Sequence, residues 1–85
     1  MMTPQDWITI VSIVMAGFAV AVGSIAPALG EAKALTQAMD AIARQPDAAN
    51  SISRTLFVGM AMVESTAIYS LVIALVLLFA NPLLP

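Results

Sequence analysis

Residues 56–80 read LFVGMAMVESTAIYSLVIALVLLFA, and this stretch decides the fold. It is apolar, holds no proline, and exceeds the roughly 20 residues that a helix needs to cross a bilayer. Its single formal charge is Glu64. An ionised carboxylate in hydrocarbon costs from ~3 to more than 10 kcal/mol. A chain that keeps one there protonates it, pairs it, or uses it to bind a cation.

A second apolar stretch, from Trp7 to Gly30, contains no charge at all. Of the 85 residues, 61% are hydrophobic and 9% are charged. A soluble domain carries about 25% charged residues, so this composition places the chain in a membrane. The residues before Trp7 include Asp6 and no Lys or Arg, and the apolar run behind them is long, so a signal peptide is not expected. The absence of cysteine excludes disulfides and thiolate metal sites. No nucleic-acid partner is expected. Lys33, Arg44 and Arg54 all lie in or beside the connection between the two stretches. That asymmetry puts the connection in the cytoplasm and both termini on the opposite side.

The fold expected is an all-α membrane protein, a single antiparallel hairpin of two transmembrane helices over residues 1–85. Thr3 or Asp6 caps the first helix, Pro4 suits its first turn, and Trp7 anchors it at the far interface. Good helix formers from Glu31 to Ala43 carry it past Gly30, so it runs over about 4–43. Pro27 falls inside it and is read as a tolerated kink. Residues 44–47 form the loop, because Pro46 disfavours helix at Gln45 and Asp47 is placed to cap the second helix. That helix runs over about 48–80, Asn81 and Pro82 end it, and 81–85 form a short tail.

Ala16, Ala19, Gly23, Ala26 and Gly30 recur at steps of three and four, and Gly17, Ala21, Ser24 and Ala28 form a second stripe beside them. Small residues let membrane helices approach closely. Two such faces on one helix predict two neighbours, as in a closed ring of identical subunits.

Glu31 comes directly after these stripes. Counting from the connection puts Glu31 at ~18 Å and Glu64 at ~24 Å, an offset of about one turn. Side chains lean toward their own helix N-terminus, so in an antiparallel pair these two carboxyls lean toward each other. Their meeting point falls near the middle of the bilayer. Ser65, Thr66 and Tyr69 add hydroxyls to the same region, with Ser65 and Tyr69 one helical turn apart. Such oxygens donate to a carboxylate or coordinate a hard cation. The plainer alternative is that Ser65 and Thr66 bond back to the carbonyl four residues earlier and Tyr69 packs. For Glu31 it is an interfacial helix charge paired with Lys33 or the lipid headgroups.

The small-residue first helix, the loop Ala43-Arg44-Gln45-Pro46 and the run from Val63 to Pro82 resemble the c subunit of rotary ATP synthases, the proteolipid of the rotor ring. The resemblance covers nearly the whole chain. It implies a ring with first helices inside and second helices outside. It implies that Glu64 is the ion-carrying acid and that Arg44, Gln45 and Pro46 meet the gamma and epsilon subunits of the central stalk. It also implies a stator partner, the a-type subunit, with an essential arginine, together with surrounding membrane lipid and a bacterial inner membrane as the location. Sodium-type members resemble this chain in Glu64, Ser65 and Tyr69, with a backbone carbonyl from Met62, and the second carboxyl at Glu31 resembles the N-type branch. Glycines of the family's first helix are replaced by Ser24, Ala26 and Ala28, which points to a ring toward the large end of the family's range.

No cofactor is expected, only a transported ion. Two adjacent carboxyls resist double ionisation, which favours a proton. The hydroxyl set suits sodium, and that alternative stays open; Glu64, Glu31, Ser65, Tyr69 and Met62 would then be the ligands. No phosphate-binding glycine loop is present, so the chain is read as a non-catalytic subunit. A pore-forming hairpin would not require the buried acid, and an exporter would need an aromatic-lined cavity that three Phe, one Trp and one Tyr do not provide.

Overall fold

The computed structural model describes all 85 residues. Helix α1 spans Pro4–Gly23, α2 spans Ile25–Arg44, a single 3-10 turn covers Pro46–Ala48, and α3 spans Ala49–Phe79. The first two form one arm of a hairpin and α3 forms the other. The molecule is a slab of 67 × 17 × 10 Å. Both arms are long and apolar enough to cross a membrane, and little of either is buried within the hairpin.

The N-terminus closes as a capping box. Asp6 N–H donates to Thr3 Oγ1 at 3.1 Å, and Thr3 N–H donates to Asp6 Oδ2 at 2.9 Å. Pro4 occupies the first turn, where its missing N–H costs nothing.

The first arm is not one continuous helix over 4–43. It breaks at Ser24, three residues before Pro27. Pro27 has no N–H to offer the Gly23 carbonyl, and its ring crowds that carbonyl. Hydrogen bonds resume on both sides, from Ser24 N–H to the Val20 carbonyl and from Ala28 N–H to the Ser24 carbonyl, both 3.0 Å. The break therefore costs the arm the one bond that Pro27 cannot make.

At the other end of the arm the loop also departs from expectation. Arg44 closes α2, paired at 3.0 Å with Asp40 one turn back. Asp47 makes no capping hydrogen bond. It sits inside the 3-10 turn, and Ala48 passes directly into α3 with its N–H on the Gln45 carbonyl at 3.0 Å. No extended residue precedes α3, so a side-chain cap has no geometry in which to form.

Three contacts define how the arms pair. Asn81 Nδ2 donates to Ser12 Oγ at 2.7 Å. Gly23 lies against Ser70, and Gly30 faces Val63. The numbers of each pair add to 93, so the antiparallel register is constant along the hairpin despite the kink. The buried residues are Ser12, Ala16, Pro27, Ala38 and Ala74, none of them large. Helices held together by such residues approach closely and send their bulky side chains outward.

Ala16 and Gly23 of the first stripe are thus taken up inside the hairpin, against α3, whereas Ala26 and Gly30 stay exposed. Gly17, in the second stripe, and Gly59, on α3, have no atom within 4 Å of where a side chain would stand, so those faces remain open.

The Asn81 contact ties the C-terminal segment to the start of the first arm. Asn81 Oδ1 also accepts from Leu83 N–H at 2.9 Å, which turns the chain after α3. Replacing Asn81 with Ala removes both bonds and leaves the buried Ser12 hydroxyl to its own helix. The expected cost is about 1 kcal/mol, read as a lower dissociation temperature of the detergent-solubilised assembly.

Candidate ion-binding site

The constant register fixes where the acids fall. Glu31 stands level with Met62, and Glu64 stands level with Leu29. The two acids are two residues apart along the axis, or ~3 Å. That is half the expected offset, because the register centres the hairpin between Pro46 and Asp47, one residue beyond the middle of the expected 44–47 loop. Glu31, the one nearer the loop, leans away from it, and Glu64 leans toward it. The carboxyls meet across the α2–α3 contact, close enough for one, when protonated, to donate to the other. The pair lies about 25 Å from the tip, on the loop side of the middle of the molecule.

Ser65 Oγ donates to the Met62 carbonyl at 2.6 Å. The Met62 carbonyl oxygen and the Ser65 hydroxyl oxygen are therefore side by side, at the level of Glu31. Thr66 Oγ1 donates to the Val63 carbonyl at 2.7 Å, one residue further round the helix. Both hydroxyls turn back on their own helix, onto the carbonyl three residues earlier rather than four. Each keeps its lone pairs for an incoming donor or cation. Tyr69 lies one turn beyond Ser65 and is 66% exposed, with its hydroxyl free of partners within the chain. Glu64 is exposed on the hairpin surface and Glu31 is half-buried.

Lys33 does not pair with Glu31. The chain's one ion pair is Arg44–Asp40, at the loop. The acid at position 31 is thus engaged by the acid at 64 and by no cation, which sets aside the interfacial pairing with Lys33. At the tip, Arg44, Gln45 and Pro46 are all exposed, with Gln45 N–H held by the Ala41 carbonyl at 2.9 Å.

The Ser12–Asn81 and Gly23–Ser70 contacts were not foreseen from sequence. Their only sequence signal is the matched spacing of small or polar residues on the two arms, and it emerges once a register is known.

Two membrane-crossing helices, a short exposed turn and a carboxyl pair between the arms define a membrane proteolipid hairpin. Residues 14–77 match the family model for the ATP synthase C subunit. The chain is 64% identical over 81 residues to ATP synthase c subunit 2 of Cereibacter sphaeroides, covering 95% of this chain and 96% of that protein. It is 54% identical over 71 residues to the ATP synthase c subunit of Prochlorococcus marinus, covering 84% of this chain and 88% of that one. The chain belongs to the ATP synthase C-subunit family. It is a membrane protein and a component of the rotor ring of an ATP synthase, a homo-oligomer of such hairpins.

Because Glu31 comes up to Glu64 from the other arm, Glu31→Gln is expected to change the pH profile of Glu64 labelling by an apolar carbodiimide, which attacks the protonated acid, while the ring still assembles. An unchanged profile would return Glu31 to a bystander role.

Proposed function

We propose that this chain is the non-catalytic, ion-carrying subunit of the ring, holding one proton per subunit on Glu64. The observation that supports this best is the approach of Glu31 to Glu64 with no cation beside either. A carboxyl that faces lipid must be neutral to pass cheaply. Protonation supplies that neutrality, and a neighbouring carboxyl makes loss of both protons costly. Glu64, exposed on the outside of the hairpin, is the member of the pair that meets a stator. There an arginine of the a-type stator subunit stabilises its ionised form, so the proton leaves into one half-channel and another enters from the second. Rotation follows from the alternation of charged and neutral subunits at that interface.

The exposed turn at Arg44, Gln45 and Pro46 is the surface offered to the gamma and epsilon subunits of the central stalk, which carry torque to the ATP chemistry of partner subunits. The loop, with Lys33, Arg44 and Arg54 near it, lies on the cytoplasmic side, and both termini lie opposite. The bacterial relatives support the inner membrane as its place. The second acid at Glu31 supports membership of the N-type branch.

One observation favours a second reading, coupling to sodium. The Met62 carbonyl and Ser65 hydroxyl already stand together, and with Glu64, Glu31 and Tyr69 they compose an all-oxygen ligand set. In that state one sodium ion and one proton would neutralise the two acids.

Two experiments test these readings, and the second separates them. Glu64→Gln is expected to abolish ATP-driven transport while leaving ring assembly intact; normal pumping by that variant would remove Glu64 from the role. Carbodiimide labelling of the native ring should fall as pH rises and stay unchanged by millimolar sodium. Clear protection by sodium at constant pH would replace the proton with sodium as the coupling ion.

A further inference from the structure

Near the loop a groove opens between α2 and α3. Its walls are Ala38 of α2 and Ser51, Ile52, Thr55 and Leu56 of α3, and it encloses about 330 Å³. Ala38 is buried and Ile52 and Leu56 are half-buried, so these three form the floor, and the exposed Ser51 and Thr55 form the lip. Ile52 and Leu56 mark the side of α3 that faces the first arm. Ser51 precedes Ile52 and Thr55 precedes Leu56, so both lie ~100° to one side of that direction. Phe57 follows Leu56 and lies ~100° to the other side. Its own hairpin leaves Phe57 72% exposed.

The groove and Phe57 thus occupy opposite broad faces of the slab, which is 17 Å wide and 10 Å thick, two helices by one. They also share a height. The register puts Ala38 level with Thr55. Phe57 stands two residues further from the loop, or ~3 Å, and its ring leans back toward the start of α3. That lean brings the ring level with the groove. Lipid tails do not cover this height. Asp40 and Arg54 stand on its loop side and Lys33 on its other side, so it lies among charged groups, outside the hydrocarbon. A large apolar ring exposed there calls for a protein partner.

We propose that Phe57 of each hairpin seats in the α2–α3 groove of the next copy, a head-to-tail contact repeated around the ring. Rotation about the axis of a ring leaves height unchanged, so a residue meets what stands level with it on the neighbouring copy. Cyclic assembly also joins two different faces, one from each copy. Phe57 and the groove satisfy both conditions. An aromatic ring laid on Ala38, Ile52 and Leu56 removes apolar surface of both copies from water. The contact rests on membership of the ring and is independent of the ion that the ring carries.

The chain has no cysteine, so introduced thiols are the only ones present. In purified rings carrying both Phe57→Cys and Thr55→Cys, a short bifunctional thiol reagent is expected to give a ladder of linked subunits on a denaturing gel. The two positions point ~160° apart on one helix, so a link between them joins different copies. Each single variant should remain monomeric on the gel. So should Phe57→Cys with Ser53→Cys, whose thiols share one face. No ladder from the first pair, or an equal ladder from the controls, overturns the proposal; a lipid chain filling the groove predicts no ladder. If the cysteine pair does not assemble, heat dissociation of the ring decides. Phe57→Ala should lower the dissociation temperature by several degrees. Thr55→Phe fills the groove from its own chain and should lower it as well. The two changes together should bring it back toward the native value, because the filled groove then has no ring to receive. A double variant that shows the sum of both losses overturns the contact.

Discussion

A bare carboxylate in hydrocarbon is the constraint around which this hairpin is built. Its cost, from ~3 to more than 10 kcal/mol, is comparable to the whole stability of a small domain. Glu64 lies on the outer surface of its helix, in a run with no other charge, so nothing on that helix offsets the cost. The compensation comes from the other arm. Glu31 approaches Glu64, and the pair can hold one or two protons between them. Two acids side by side are a poor choice for static packing, which is what supports the proposed ion-carrying role.

The acid pair depends in turn on register. One residue of slip would change the offset of the carboxyls by ~1.5 Å and rotate each away from its partner. The register is held at three levels, by a hydrogen bond at Ser12–Asn81, by a steric fit at Gly23–Ser70 and by a looser contact at Gly30–Val63. None of these involves a large side chain. Bulky residues instead face outward, where Phe57, Met62, Tyr69 and Phe79 are all more than half exposed. The single hairpin has almost no core of its own; lipid and neighbouring subunits supply its surroundings. Assembly into a ring thus completes the structure as well as the function.

Much of this was legible in the sequence. The apolar run around Glu64, the basic residues near the loop and the Arg44-Gln45-Pro46 turn specify a hairpin and single out Glu64 as its candidate acid without coordinates. The convergence of Glu31 and Glu64 follows from side-chain tilt in antiparallel helices. What the sequence hid was the consequence of contacts between arms. Pro27 announces a kink, but its site at Ser24 depends on which carbonyl the ring crowds. Asp47 has the right chemistry for a cap and the wrong backbone, since the 3-10 turn runs straight into α3. Ala16 and Gly23 read the same whether they face a neighbour or their own partner helix, and only the register shows that they meet α3. The acid offset was overestimated because the centre of the turn cannot be counted from composition.

Whether Glu31 and Glu64 form one coupled site is open to direct measurement. Infrared difference spectra of purified rings, taken between low and high pH, report the carboxyl C=O stretch of each acid. A coupled site predicts that Glu31→Gln moves the Glu64 band and that Glu64→Gln moves the Glu31 band. If each variant simply deletes one band and leaves the other where it was, the two acids are independent and the shared site does not exist.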